Sequence, residues 1–452
     1  MQQARETAPA GPDVTTTVRQ PGLLLTDHYF DVPLDHKAPE GELIRLYARE
    51  VVAGDTAGTR RDQLPWLVYL QGGPGFGADR PVGRSGWLDR ALEEYRVLLL
   101  DQRGTGRSTP ATRQTLPLRG TPERQADYLA HFRADAIVRD CELIRRRLTG
   151  GRPWTVLGQS FGGFCAVSYL SYAPEGLDTV LITGGLPALD SGTGADAVYR
   201  AAYPRMERKT LAHYARYPGD AAAVRAIVRH LAAHDEVLPD GTTLTPAVLQ
   251  QLGILLGTGD GSHHLHYLLE DAFAPTPDGP RLNDAFRERV AAVLSRAASP
   301  LYTLLHESIY AQDGTATHWS AHRIRAEFPR FDAEKAVAGD HPVLLTGETV
   351  HPWMLETHAA LRPLRRTVEL LAERTGWGPL YDPERLARNT VPVAAAIYHD
   401  DLYVDTAQSL DTARAIRGLR TWVTDEFEHD GVRTGGHRVL DRLLRLARDE
   451  AP

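Results

Sequence analysis

The chain has 452 residues, with 58 acidic and 51 basic side chains and a formal charge of −7. Its 42% hydrophobic and 24% charged content is that of an ordinary globular protein, which excludes a wholly disordered chain, a membrane bundle or a basic nucleic-acid binder. Two cysteines, Cys141 and Cys165, are too few for a disulfide framework and sit in apolar helical patterns, so buried thiols and a reducing, cytoplasmic setting are expected.

Residues 1–22 are rich in Pro, Thr, Gln and charge and lack the apolar run of a secretory signal, so they read as a flexible lead-in. No window approaches the length of an apolar membrane span. Residues 28–53 alternate as an early β-hairpin does. Two short apolar runs follow, Trp66–Leu70 ending in QGGPG and residues 95–100 ending in DQRG; runs of this kind suit strands buried on both faces of a parallel sheet. Residues 122–148 have helical spacing, with Ile137, Cys141, Ile144 and Leu148 on one face, and the run Arg145-Arg146-Arg147 is assigned to its solvated side.

A strand at 154–157, a tight turn at 158–162, an apolar helix and a strand at 179–182 complete a strand and helix alternation, the pattern of a doubly wound sheet. The alternation stops at Pro187 and returns only at 391–398, followed by a helix at 406–416, a strand at 420–427 and a last helix at 438–448. The intervening half is read as a helical insertion. The expected segments are 1–22, a first core part 23–186, a cap 187–388 and a second core part 389–452.

The strongest chemical signal is Gly158-Gln159-Ser160-Phe161-Gly162, a G-x-S-x-G between a strand and a helix. Such a turn strains the serine backbone and needs small residues two before and two after it, so Ser160 is the candidate nucleophile of an α/β-hydrolase fold. An acyl-transfer site also needs two N–H donors for the oxyanion: Phe161 beside the nucleophile, and Gly72 or Gly73 in the QGGPG loop. In this fold the acid and then the histidine follow the serine in sequence. Asp400 and Asp401 both follow the strand at 391–398, and His429 and His437 both follow the last strand.

These motifs resemble the proline iminopeptidases, serine peptidases with an α/β-hydrolase core, a mostly parallel sheet flanked by helices, and a large helical cap inserted between core strands. The resemblance rests on LQGGPG at 70–75, DQRGTGRS at 101–108, GQSFGG at 158–163, LHESIY, LTGETVHPW, PVAAAIYHDDLYVD and WVTDEFEHDG. It is closest to the longer bacterial branch, with Gln71 where shorter members carry His. The resemblance implies release of N-terminal proline from small peptides and places the triad acid at Asp401 and the base at His429. It also implies that Glu307 and Glu348 take the substrate ammonium, with Tyr310 and Trp353, and Tyr302 and Trp319 near them, walling a pocket for the pyrrolidine ring.

No metal or organic cofactor, nucleic acid or membrane enters this scheme. HESIY lacks the second histidine of a zinc motif, the 263–266 HHLH run points in several directions on a helix, and Asp101-Gln102-Arg103 is expected to brace the active-site loops. Two rival readings remain: an esterase, amidase or peptidase of other N-terminal preference, and a catalytically idle fold that serves binding.

Overall fold

The computed structural model describes residues 13–55, 58–189 and 194–450. One nine-stranded sheet organises it, in the order β1-β2-β3-β5-β4-β6-β7-β10-β11. The strands are β1 Asp13–Gln20, β2 Leu23–Pro33, β3 Leu43–Ala53, β4 Trp66–Leu70, β5 Arg96–Asp101, β6 Trp154–Gln159, β7 Leu177–Thr183, β10 Val393–Tyr398 and β11 Leu419–Thr424. A separate ribbon in the insertion pairs β8 Phe273–Ala274 with β9 Arg281–Leu282. The first three strands and β5 pair antiparallel, and from β5 to β11 all pairs are parallel.

The continuous apolar runs have a simple cause. Trp66, Val68 and Leu70 of β4 face one core cluster while Leu67 and Tyr69 face another on the opposite side of the sheet. In β10, Val393, Ala395 and Ile397 alternate in the same way with Ala394, Ala396 and Tyr398. A strand with helices on both faces has no polar side to show. Both cysteines are buried and unpaired.

The insertion divides in two. Residues such as Tyr199, Ile227, Leu249, Phe286 and Leu345 form a cluster of their own, whereas Leu301, Leu305, Met354 and Leu371 join the cluster beneath the sheet. The cap is therefore seated on the core through its own later segments.

Three sequence expectations change. Of the lead-in at 1–22, residues 1–12 lie outside the described residues, and Asp13–Gln20 is a strand paired along β2 rather than a loose segment. The helix expected across 122–148 is two helices, Pro122–Leu129 and Ala134–Thr149. Between them Arg133 takes extended backbone and donates to the carbonyl of Gly378 at 2.8 Å, while Arg103 captures the carbonyl of His131 at 2.7 Å. Arg145 is buried rather than solvated, because Glu142 one turn earlier accepts two hydrogen bonds from it at 2.7 Å.

Candidate active site

The sheet order reverses at β4: β5 lies on one side of it and β6 on the other. Connections that leave in opposite directions open a crevice beyond the carboxyl ends of those strands. The QGGPG loop follows β4 and the G-x-S-x-G turn follows β6, so both border that crevice.

Ser160 has φ 53° and ψ −123°, a conformation closed to most side chains and worth ~1–3 kcal/mol of strain. Close packing holds it. A Cβ on Gly158 would lie 2.4 Å from the carbonyl oxygen of Gly162, and one on Gly162 would lie 1.9 Å from that of Leu70. The Ser160 N–H donates to Thr183 at 3.0 Å, and Ser160 opens the helix Phe161–Tyr172. As the first residue of that helix, Phe161 has an N–H outside the intrahelical ladder. Gly72 approaches from the other side: a Cβ there would stand 2.8 Å from Cβ of Ser160. Gly73, at φ 136°, takes a backbone conformation that side chains rarely adopt. Gln102 donates to the carbonyl of Gln71 at 3.0 Å, and Asp101 accepts from the N–H groups of Ala78 and Arg107 at 3.0 and 2.8 Å, so the DQR segment braces this loop.

Asp401 lies just past β10, 2% exposed. One carboxylate oxygen accepts from the N–H groups of Tyr403 and Val404 at 2.8 and 3.0 Å, and the other lies 2.7 Å from Nδ1 of His429. Asp400 is exposed. His437 is also exposed and lies 3.5 Å from Glu93, whereas His429 is buried. Of the two acids and two histidines, the structure thus brings together Asp401 and His429. Burial alone would depress the His429 pKa, but the charge and hydrogen bond of Asp401, aided by Glu348 and Asp430, raise it above the ordinary value.

Consecutive glycines after β7 join this pair to the serine. A Cβ on Gly184 would lie 3.1 Å from Nδ1 of His429, and one on Gly185 would lie 2.4 Å from the carbonyl oxygen of Ser160. The elbow and the imidazole therefore flank one dipeptide, and Ser160 is only 8% exposed.

The two cap glutamates occupy different environments. Glu307 is buried, and its carboxylate accepts from the N–H groups of Ser320 and Ala321 at 3.0 and 2.9 Å, capping the helix Ser320–Arg325. Burial pushes its pKa up to about 7 against those hydrogen bonds. Glu348 is half-buried and accepts from the Tyr302 hydroxyl at 2.8 Å. Its charge reaches His429, and among the described residues it forms no ion pair. Tyr310 and Trp353 are partly buried against both the core and the cap clusters, at the seam between them. Trp319, with left-handed backbone, leads into the helix that Glu307 caps.

Sequence reasoning missed three neighbours. Tyr403 sets its ring edge-on to His429 at 4.8 Å. Arg296 is buried with its guanidinium over the Tyr302 ring at 5.1 Å, and its charge reaches Glu348. Arg205 donates to the carbonyl of Asp401 at 2.8 Å from 196 positions away. Tyr403 carried a local signal as part of the loop after β10, whereas Arg205 is a contact of tertiary structure and Arg296 gave no sign in its sequence of the ring that it covers.

The alpha/beta hydrolase fold family is matched over residues 65–234. The chain is 48% identical over 429 residues to the proline iminopeptidase of Aeromonas sobria, covering 95% of this chain and 97% of that protein. It is 37% identical over 442 residues to a proline iminopeptidase of Aspergillus aculeatus, covering 95% of each. The chain belongs to the proline iminopeptidase family of α/β-hydrolases.

Proposed function

We propose that the enzyme acts on small peptides with a free N-terminal proline, using Ser160 as nucleophile, His429 as base and Asp401 as the acid that orients it. The chain is a hydrolase, a prolyl aminopeptidase. The observation that carries the assignment of residues is the strained serine at the sheet crevice and a buried imidazole whose Nδ1 is held by a buried carboxylate, the two packed against the consecutive glycines 184 and 185.

His429 takes the proton of the Ser160 hydroxyl as its oxygen attacks the prolyl carbonyl. The N–H groups of Phe161 and of Gly72 or Gly73 receive the oxyanion. His429 then passes its proton to the leaving amine, and water, activated by the same imidazole, releases proline from the ester. Glu348 receives the prolinium nitrogen, since its carboxylate has unused acceptor capacity and its charge reaches the imidazole. Glu307, with oxygens directed at main-chain amides, shapes the cap wall instead. Tyr310 and Trp353 border the ring-binding space at the seam.

A cytoplasmic location fits two buried, unpaired thiols. Among the described residues no helix is long and apolar enough to cross a membrane.

A panel of prolyl, alanyl and N-blocked prolyl chromogenic amides tests the substrate assignment. The expected order is prolyl first and blocked prolyl last by at least about a hundredfold, the loss of a charge-assisted contact in a dry site. Preference for the blocked amide would favour an esterase or amidase of other specificity.

A further inference from the structure

One helix of the cap, Gly194–Arg216, touches both loops that carry the base and its acid. Arg205 and Lys209 stand four residues apart and so share a face. From Arg205, Nη1 donates to the main-chain carbonyl of Asp401 at 2.8 Å, and Nη2 pairs with Asp405. Asp405 in turn accepts from the N–H of Gln408 at 2.8 Å, capping the helix Thr406–Ala415. The Arg205 and Asp405 side chains are 8% and 10% exposed, so this contact is dry and directional. One turn on, Nζ of Lys209 lies 2.5 Å from both carboxylate oxygens of Glu428, the residue before His429.

We propose that Arg205 and Lys209 are positioning residues for the triad, which couple the seating of the cap to the alignment of Asp401 and His429. The inference rests on the serine-hydrolase reading above and adds to it a dependence of the core chemistry on two cap cations. Arg205 fixes the main chain at the acid, so the Asp401 carboxylate can serve His429 only with the cap in place. Lys209 anchors the loop of the base and neutralises the anion next to it.

The electrostatics give this role a signature that packing alone lacks. His429 feels the negative charges of Asp401 and Glu348 from the neighbouring loops and of Asp430 from its own, the last already paired with Arg433. Glu428 is raised by burial, with Asp401 and Asp400 acting the same way, and Lys209 opposes them. Remove the lysine and Glu428, one residue before the imidazole in the same loop, becomes an uncompensated anion whenever it ionises. The protonated form of His429 then gains stability, and the acid limb of kcat/KM moves to higher pH.

The test is the pH dependence of prolyl p-nitroanilide hydrolysis between pH 5 and 9 for Lys209→Met, Lys209→Arg, Glu428→Gln and Lys209→Met/Glu428→Gln, with circular dichroism as the control for folding. Lys209→Met should raise the acid-limb pKa by about 0.5 to 1 unit, the effect of one charge at short range in a half-buried site. Lys209→Arg and the double variant should return it to the wild-type position. Arg205→Met should lower kcat about tenfold or more with little change in KM, and Arg205→Lys should recover part of it. If Arg205→Met does not fold, the Lys209 series decides alone. A folded Lys209→Met enzyme with the wild-type pH profile overturns the proposal. Should Ser160→Ala keep wild-type activity, the hydrolase reading itself fails; if that variant is inactive while the Lys209 profiles do not move, only the cap coupling is wrong.

Discussion

The ring of Tyr403 meets the imidazole of His429 edge-on at 4.8 Å, while the N–H of the same tyrosine donates to Asp401 at 2.8 Å. One residue thus fixes the acid through its main chain and limits the swing of the base through its side chain. Tyr403→Phe keeps both contacts and loses only the hydroxyl bond to the Ile254 carbonyl, so activity should stay within about threefold. Tyr403→Ala frees the imidazole and should lower kcat about tenfold or more, with KM less affected. Steady-state kinetics on a prolyl amide check both, and equal effects of the two substitutions would deny the ring this role.

Asp401→Asn should reduce kcat about a thousandfold or more, because an amide can no longer hold the imidazole in the working tautomer. Asp400→Asn, at an exposed neighbour, should leave activity within about twofold. Side-by-side kinetics discriminate the pair, and a larger loss at Asp400 would move the acid by one residue.

Since Asp401 holds the His429 pKa above the ordinary value, the base becomes competent only as pH rises through that elevated pKa. The acid limb of kcat/KM should therefore lie above 6.5, the ordinary histidine value. Glu348→Gln removes a further anion and should shift the limb to lower pH while raising KM for the free-amine substrate. An unchanged KM with Glu348→Gln would take the ammonium away from this carboxylate.

The carboxyl of Glu307, ordinarily near 4.5, is pushed up to about 7 by burial. A raised carboxyl pKa means the folded state holds the proton more tightly than the unfolded one. Its stabilising contribution is complete below the unfolded pKa and is lost as pH rises through about 7. Glu307→Gln cannot titrate, so its melting temperature should fall less between pH 5 and 8 than that of the wild type. Parallel melting curves across that range would contradict the assignment.

Much of the core was legible because its signals are local. Buried strands announce themselves as short apolar runs, and the elbow needs glycines at 158 and 162 within five residues of sequence. The choice between Asp400 and Asp401, or His429 and His437, was not open to periodicity, since both members of each pair follow the right strand. Their separation depends on which side chain turns inward. Arg205 was invisible for another reason: its partners lie in distant segments, and an arginine on a helix has the same local pattern whether it faces water or a buried carbonyl. The helix break at Arg133 was hidden likewise, because the carbonyls that capture its guanidinium come from the cap.

The most direct test of the account is intact-protein and peptide mass spectrometry after treatment with a fluorophosphonate, in parallel with prolyl amide hydrolysis. One adduct on the peptide containing Ser160, lost together with activity in a folded Ser160→Ala variant, is the predicted result. A folded wild type that stays unlabelled while cleaving the amide, or a Ser160→Ala variant that cleaves it at the wild-type rate, would contradict it.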